Sequence, residues 1–220
     1  MFERDYLIRL LAQAGAVLGK AAGLKDLGKP QEALQTIDEF MSRELRLRSR
    51  LAMGLTDEDL LSMLSLTGSP NAESVAIVAS CLKQEAELYA SLGEEDESVP
   101  RFEKSLRLTL HALRNELEAE GWDARKRAEE LIASLDPYET EADTKKALWG
   151  WHEEEGRFAD AENLLFELGE AGALSAEEGQ AFYTRLSGME DAALDAGGLP
   201  RDEMEEGRRQ WGALTKENEA

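Results

Sequence analysis

The sequence has few of the side chains that most often carry catalysis, bind metals or form covalent cross-links. Its 220 residues include one cysteine, Cys81, and two histidines, His111 and His152. A single cysteine excludes an internal disulfide and is typical of a protein from a reducing compartment. Neither histidine stands at metal-ligand spacing from other ligand residues, so we expect no metal and no cofactor.

Positive charge is also scarce. The chain carries 46 acidic and 25 basic residues, which gives a formal net charge of −21. Such a surface repels phosphate backbones and anionic lipid, so nucleic acid and membrane surfaces are not expected as partners. A partner, if there is one, is expected to be a protein or peptide that offers positive charge or apolar surface.

Long uncharged runs are missing near the amino terminus. Charged residues interrupt the first ten positions, and the longest uncharged run there covers only residues 10–19. A membrane helix needs ~20 apolar residues. The same charges break up a signal-peptide core. We therefore expect a cytoplasmic protein.

Strand-forming residues never alternate over a useful length, whereas apolar residues recur at helical intervals. Three segments repeat one pattern: a helix, a glycine, and a second helix with a small residue five positions after the glycine. The glycines are Gly28, Gly93 and Gly156, and the small residues are Ala33, Ser98 and Ala161. Because glycine ends helices and small side chains let two helices approach closely, this pattern predicts three helical hairpins.

These hairpins resemble the tetratricopeptide repeat, a helical hairpin of about 34 residues. The matching small and large positions around the turns are Ala21, Leu24, Ala33 and Ile37, then Ala86, Tyr89, Ser98 and Phe102, then Ala161 and Leu165. The resemblance implies an all-α fold, a tetratricopeptide-like right-handed superhelix of helical hairpins. Trp149 departs from it, standing where a small residue belongs. Pro100 predicts that the second helix of its hairpin begins two or three residues late.

The spacing departs from the repeat as well, because the glycines lie 65 and 63 residues apart. The extra length has room for spacer helices, which we predict in 56–66, 121–135 and 175–189. Thr56, and Ser175 with Glu178, stand at helix-capping positions. We expect one helical-repeat domain over 1–220, composed of quasi-repeat units and a final capping helix: 1–68, 69–136, 137–190 and 199–215.

The chain also resembles an uncharacterised bacterial family of tetratricopeptide-like proteins. The segments that carry this resemblance are the amino-terminal MFERDYLIRLLAQAGAVL, the glycine hairpins and the late GGLPRDE. The resemblance implies a fold over most of the chain, and it implies no assigned activity.

Three short motifs approach known sites without meeting their requirements. GAVLGKA (15–21) has too few residues between its glycines for a phosphate-binding loop, and its small residues are expected to ease helix packing. WHEEEG (151–156) has glycine where a zinc-protease helix needs its second histidine. RELRLRSR (43–50) is typical of a helix C-terminus with internal carboxylate partners. We expect no enzymatic activity.

The resemblance to the tetratricopeptide repeat implies a protein–protein interaction scaffold, with a partner segment in a charged groove formed by the first helices of the hairpins. The residues that would face this groove are Lys83, Glu87, Lys146 and Glu153. Trp149 and Trp151 face nearly opposite sides of one helix, so one is expected in the core and the other at the partner surface. On that ground Trp151 is included among the partner-binding residues.

Two other functions stay open. A carboxylate-rich pocket near His152 would suit a small-ligand-binding or enzymatic protein. The apolar end of the first helix would suit a purely structural homo-oligomer, a homodimer through that helix. The residues concerned are Phe2, Tyr6, Leu7 and Leu10.

Overall fold

The protein is almost entirely helical. The computed structural model describes residues 2–66 and 68–218, and the side chains of residues 6–65 and 68–214. Within these residues the only strands are β1 (Ser65–Leu66) and β2 (Ser69–Pro70), which pair antiparallel. The expected all-α fold is confirmed. The side chain of Phe2 lies outside the described residues.

The chain divides into two compact units, Met1–Thr140 (unit 1) and Glu141–Ala220 (unit 2). Unit 1 contains α1 (Phe2–Asp26), α2 (Pro30–Phe40), a π-helical turn (Met41–Leu45), α3 (Ser49–Gly54), α4 (Asp57–Met63), the two strands, α5 (Ala72–Leu92), α6 (Glu95–Arg114) and α7 (Ala124–Leu135). Unit 2 contains α8 (Ala142–Glu154), α9 (Phe158–Glu170), α10 (Ala176–Ser187), α11 (Asp191–Ala196) and α12 (Arg201–Asn218). The single helical-repeat domain stays a prediction.

The three hairpin glycines end their helices in the same way. Gly28, Gly93 and Gly156 have φ values of 72°, 74° and 71°, in the left-handed region that favours glycine. In each turn the glycine N–H bonds to the carbonyl three residues back, and the next N–H bonds to the carbonyl five residues back. These two bonds define the Schellman motif, which satisfies carbonyls that a helix end leaves unpaired. The prediction of three equivalent turns is confirmed.

The second helix of each hairpin packs closely on the first. The small residues Ala33, Ser98 and Ala161 are fully buried. Their helices form the pairs α1 with α2, α5 with α6, and α8 with α9. A larger side chain at one of these positions would overpack the crossing, at a cost of ~1–3 kcal/mol.

Pro100 does not delay its helix, so that prediction is wrong. α6 begins at Glu95, two residues after Gly93, and α2 and α9 also begin two residues after their glycines. The Schellman turn therefore sets the helix start, and Pro100 lies inside α6. Proline there removes the hydrogen bond to the carbonyl of Asp96, a residue in the exposed first turn.

Two of the predicted spacer helices, α4 and α10, begin at the predicted caps. The Thr56 side chain accepts the N–H of Asp59 at 3.1 Å at the start of α4. Ser175 and Glu178 form both bonds of a capping box at the start of α10. The π-helical turn, α3 and α11 were not predicted, because elements of five or six residues are too short to show a periodic pattern.

Unit 1 ties its α3–α4 region to α6 through polar side chains. Lys104, which is 3% exposed, donates to the carbonyl of Leu55. Arg107 holds the carboxylate of Asp57 through Nε at 2.5 Å and Nη2 at 3.4 Å. These bonds connect residues about 50 positions apart, so the folded chain, not local sequence, decides them.

A second buried polar group joins α3, α5 and α6. The Glu85 carboxylate, 2% exposed, accepts bonds from Ser49 Oγ and from Arg101 Nε, the latter at 3.3 Å. Arg101 also pairs with Glu97 and lies over the Tyr89 ring, 4.4 Å from its centre. Burial raises the pKa of Glu85, and the bonds from Ser49 and Arg101 oppose that rise.

The core of unit 2 is apolar and closely packed around Trp211, which is 1% exposed. A Cβ at Gly179 would lie 2.1 Å from the Trp211 ring, and a Cβ at Gly169 would lie 2.3 Å from it. Both positions therefore require glycine for the indole to fit. Tyr183 is fully buried beside this core, and its hydroxyl donates to Glu162 at 2.7 Å.

Candidate functional site

Unit 1 carries a groove between α1, α5 and the segment that leads into α7. Two surface cavities of about 350 and 250 Å³ share Gly15 and Leu18, and a third of about 880 Å³ adjoins the first of these at Trp122. We call the three cavities together the α1–α5 groove. Its lining on α1 runs from Ile8 to Ala22, roughly 21 Å of helix at ~1.5 Å per residue.

Helix α1 carries a glycine stripe, defined as Gly15, Gly19 and Gly23, of which Gly15 and Gly19 line the groove. The four-residue spacing places the three glycines on one face of the helix. A Cβ built on any of them would meet no atom within 4 Å. The prediction that small residues in 15–21 ease packing is therefore wrong for Gly15 and Gly19, because α1 packs on its neighbours through another face, which includes the buried Ala14 and Ala21.

Helix α1 is apolar and yet largely uncovered. Its segment Tyr6–Asp26 is long and apolar enough to cross a membrane, with a mean hydropathy of 1.3, a criterion that core helices and signal sequences also meet. Within this segment, only 22% of the 18-residue stretch that meets the criterion is buried. The exposed residues of α1 include five small ones, Ala12, Gly15, Ala16, Gly19 and Gly23, beside larger ones.

Two of the predicted partner-binding residues meet at the groove. Lys83 and Glu87 of α5 line the 250 Å³ cavity together with Arg127 of α7. Lys83 Nζ lies 2.5 Å from Glu87 and 3.3 Å from Glu130, so it links α5 to α7. The Lys83 side chain is 15% exposed and that of Glu87 is 34% exposed. The rim of the groove is therefore charged and held by ion pairs.

The largest cavity is predominantly acidic. Trp122 lines both this cavity and the 350 Å³ cavity. It is 9% exposed, and its Nε1 has no hydrogen-bond partner among the described residues. A buried indole N–H normally finds an acceptor. The acidic residues that line this cavity are Glu116, Glu118, Glu120 and Asp123.

The other predicted partner-binding residues, Lys146, Trp151 and Glu153, lie on α8 in unit 2. Lys146 is half-buried. Glu153 is held by Arg185 through Nε at 2.5 Å and Nη2 at 2.8 Å. Glu153 is thus committed to an ion pair, and its side chain is only 16% exposed.

Neither tryptophan of α8 is an exposed anchor. Trp151 is 2% exposed, and the guanidinium of Arg157 lies over its ring. Trp149 is half-buried and its ring contacts that of Phe182. The expectation that Trp151 stands at a partner surface therefore lacks the exposure it needs, because the turn after α8 folds Arg157 back over the indole.

Three side chains at the turn between α8 and α9 contact one another: Trp151, His152 and Arg157. The Arg157 Cζ atom lies 4.0 Å from the centre of the Trp151 ring, and the Trp151 and His152 ring centres are 5.3 Å apart. Burial and the neighbouring Arg157 lower the pKa of His152, so the imidazole is neutral at pH 7. Its Nδ1 lies 3.9 Å from the carboxylate of Asp160, beyond hydrogen-bonding distance.

The sequence motifs that resemble known sites do not form those sites in the described part of the chain. GAVLGKA lies inside α1, so it forms a continuous helix and not a loop that cradles phosphate. Cys81 is fully buried, and burial raises the pKa of its thiol, which leaves it unreactive. Across 2–66 and 68–218, no group of three or more His, Cys, Asp or Glu could hold a metal ion.

Two of the four arginines in the basic run 43–50, Arg43 and Arg48, have carboxylate partners of the predicted kind. Arg43 pairs with Glu44 at 2.6 Å, and Arg48 pairs with Asp38 at 2.8 Å. The carboxyl of Asp38 also accepts the N–H of Ser49 at 3.0 Å. These arginines therefore serve the structure of unit 1.

Hairpins closed by one kind of turn, with an open groove beside two of them, define an all-helical hairpin protein. The chain belongs to the family of unknown function DUF6483, which it matches over residues 1–215. No curated protein and no solved structure shows significant similarity to it. The expected membership of an uncharacterised family is confirmed, and the likeness to the tetratricopeptide repeat stays a prediction.

Proposed function

We propose that the protein is a binding module whose α1–α5 groove receives a basic, amphipathic helix of a partner protein. The glycine stripe carries this proposal. Each glycine inside a helix costs about 0.5–1 kcal/mol relative to alanine. Unit 1 bears that cost three times without filling the space it creates, and a helix that docks from outside would use that space.

The dimensions of the groove favour a helix as its occupant. Small residues at every fourth position let two helices approach more closely than the usual 8–10 Å between axes. A groove of roughly 21 Å matches about 14 helical residues. The 350 Å³ cavity is lined by Leu11, Leu18 and Ile77, which offer apolar surface to one face of an amphipathic helix.

Charge complementarity sets the sign of the partner. The largest cavity presents four carboxylates, and the whole chain has a formal charge of −21. A basic segment would be attracted over a long range and held by these carboxylates, whereas an acidic one would be repelled. The proposal requires no catalytic residue.

The proposal extends to a tetratricopeptide-like arrangement of the hairpins. Within unit 1, α5 packs against both α1 and α2, and α7 packs against α6. Successive hairpins of a helical-repeat stack pack in this order. Lys83 and Glu87, which the repeat resemblance implies at a partner groove, line the 250 Å³ cavity, and this position supports the proposal.

A peptide selection tests the proposal without a known partner. Displayed 16-residue peptides would first be depleted on the variant G15L/G19L and then selected on the wild-type protein. Because two leucines fill the space beside α1, binders of the groove survive the depletion. We expect enrichment of peptides with apolar residues at three- and four-residue intervals and several Lys or Arg.

Binding of the selected peptides is then measured by fluorescence anisotropy. We expect G15L/G19L to bind at least ~10-fold more weakly, the effect of blocking a central contact. Gly212 in α12 also faces open space, so G212L adds the same side chain in unit 2 and should bind like the wild type. Failure to enrich any peptide, or equal binding to G15L/G19L, would contradict the proposal.

Light scattering over a concentration range addresses the alternative of a homodimer through α1. Tyr6 is 49% exposed, whereas Leu10 is 2% exposed and so is already used inside unit 1. We expect a monomer at all concentrations. A dimer that G15L/G19L abolishes would show that a second copy occupies the groove, and the proposal of a partner helix would be wrong.

A further inference from the structure

The turn between α8 and α9 holds Arg157, a half-buried arginine in which one edge of the guanidinium is closed to solvent. Arg157 Nε and Nη2 are both closed to solvent, and neither has a hydrogen-bond partner in the described part of the chain. The guanidinium stacks on Trp151, which is 2% exposed and whose Nε1 is also unpartnered. Buried cations are normally paired, because desolvation of an unpaired charge is strongly unfavourable.

In two other arginines of this protein, the Nε and Nη2 edge of the guanidinium binds a carboxylate. Arg107 uses Nε and Nη2 to hold Asp57, and Arg185 uses Nε and Nη2 to hold Glu153. In both pairs two N–H groups of one arginine meet the two oxygens of one carboxylate, which is the strong bidentate arrangement. Arg157 presents this edge with nothing bound to it.

Among the described residues, no neighbour of Arg157 gives its Nε or Nη2 an acceptor within hydrogen-bonding distance. Trp151 Nε1 is a donor only, and it lies in the residue that Arg157 covers. His152 Nδ1 is buried, has no hydrogen-bond partner among the described residues, and stands 3.9 Å from Asp160. The Trp151 ring contacts both other side chains, so their polar atoms belong to one cluster.

We propose that Arg157, with Trp151 and His152 beside it, binds the carboxylate of a ligand. The carboxylate would accept the Nε and Nη2 hydrogens, as Asp57 and Glu153 do for their arginines. A phosphate dianion is disfavoured, because the nearby carboxylates of Glu155 and Asp160 already act on His152 and would repel a second negative charge more strongly. This site lies in unit 2 and is independent of the function proposed for the groove.

Entry of a carboxylate requires a local movement, because Arg157 Nε and Nη2 are closed to solvent. Binding would give these two N–H groups the acceptors that they lack among the described residues. A carboxylate ligand should therefore stabilise unit 2.

The first test is thermal unfolding of the full chain in acetate, glutarate or inorganic phosphate, each replacing chloride at constant ionic strength. We expect a saturable rise in Tm with acetate and glutarate, and a smaller one with phosphate. R157Q should lower the apparent association constant at least ~10-fold, because it removes a charge-assisted bidentate contact. R157K keeps the charge but loses the fork, so it should bind weakly too.

The matched control is R209Q, which removes an arginine of the same unit whose side chain is 73% exposed. It should respond to acetate like the wild type. A wild-type protein that shows no saturable response to either carboxylate, or an equal response in R157Q, would overturn the proposal and leave Arg157 as a structural cation–π contact.

A second readout needs only the wild-type fold. The indole N–H signal of Trp151, assigned by its loss in W151F, should shift saturably with acetate in NMR spectra, while that of Trp122 in unit 1 should not. Acetyl-trialanine with a free carboxyl terminus and its amide distinguish the source of the carboxylate. Tighter binding of the free peptide than of acetate indicates a partner's carboxyl terminus, and equal binding indicates a free small carboxylate. An unshifted Trp151 signal would contradict the site.

Discussion

The two units differ in how the buried donors of their cationic side chains are partnered. In unit 1 the buried cations have partners: Arg101 pairs with Glu85 and Glu97, and Lys104 donates to a backbone carbonyl. In unit 2 the buried edge of Arg157 has none among the described residues. Polar contacts therefore hold unit 1 together, whereas in unit 2 they are left open at one turn.

The units also differ in their use of helix glycines. The stripe in α1 faces open space, while Gly169 and Gly179 in unit 2 are filled by the Trp211 ring. The glycine stripe thus leaves open surface in unit 1, whereas Gly169 and Gly179 permit packing in unit 2, where Gly212 of α12 also faces open space. The difference is the basis of the two proposed sites, one in the surface groove of unit 1 and one at the α8–α9 turn of unit 2.

The largest effect expected from this comparison is the loss of a buried arginine in unit 1. R101Q leaves Glu85 buried with Ser49 as its remaining side-chain partner, so it should cost about 3–5 kcal/mol of unfolding free energy. R157Q in unit 2 leaves no carboxylate behind and should cost less than ~1 kcal/mol or be stabilising. Denaturant unfolding, with hydrogen exchange to assign the change to a unit, measures both. Equal costs would remove the contrast between the two interiors.

A smaller effect is expected from adding one methyl group to a glycine. G179A drives a Cβ into the Trp211 ring and should destabilise by ~1–3 kcal/mol through overpacking. G15A meets no atom and should stabilise by about 0.5–1 kcal/mol through helix propensity. Thermal and denaturant unfolding of the two variants give the comparison. Destabilisation by G15A would show that the groove face is covered in solution.

The smallest effect is the pH dependence of two carboxyl groups. Burial raises the folded-state pKa of Glu85, so its contribution to stability is present below the usual glutamate pKa and is lost as pH rises through the raised value. Bonds from Ser175 lower the pKa of Glu178, so its contribution is present above the usual pKa and is lost as pH falls through the lowered value. E85Q should weaken the loss of stability with rising pH, and E178Q should weaken the loss of stability with falling pH. The free energy of unfolding, measured in steps of ~1 pH unit from about pH 3 to about pH 7, checks both. Slopes that change in the same direction would contradict the assignment.

Much of the helical layout could be predicted from local sequence. The turns at Gly28, Gly93 and Gly156, the cap at Thr56 and the capping box at Ser175 are decided by residues within a few positions of each other. The late helix start predicted from Pro100 is wrong, because the Schellman turn at Gly93 sets the start of α6. The glycine spacing of the stripe was visible in the sequence, but its exposure was not.

The binding features could not be predicted in the same way. Lys83 and Glu87 were placed at a groove by a repeat resemblance, and they line one in unit 1. Trp122 and Arg157 gave no signal, because a missing partner is visible only when every neighbour is in place. Trp151 was misjudged for the same reason.

The sequence by itself determined an acidic chain of capped helices and three glycine-closed hairpins, since these depend on hydrogen bonds and propensities within a turn or two of helix. The tertiary structure alone decided which glycines face open space, which arginine finds a carboxylate and which indole is covered. Those outcomes depend on packing between residues far apart in the chain, and burial sets the energy of each charge only once that packing exists.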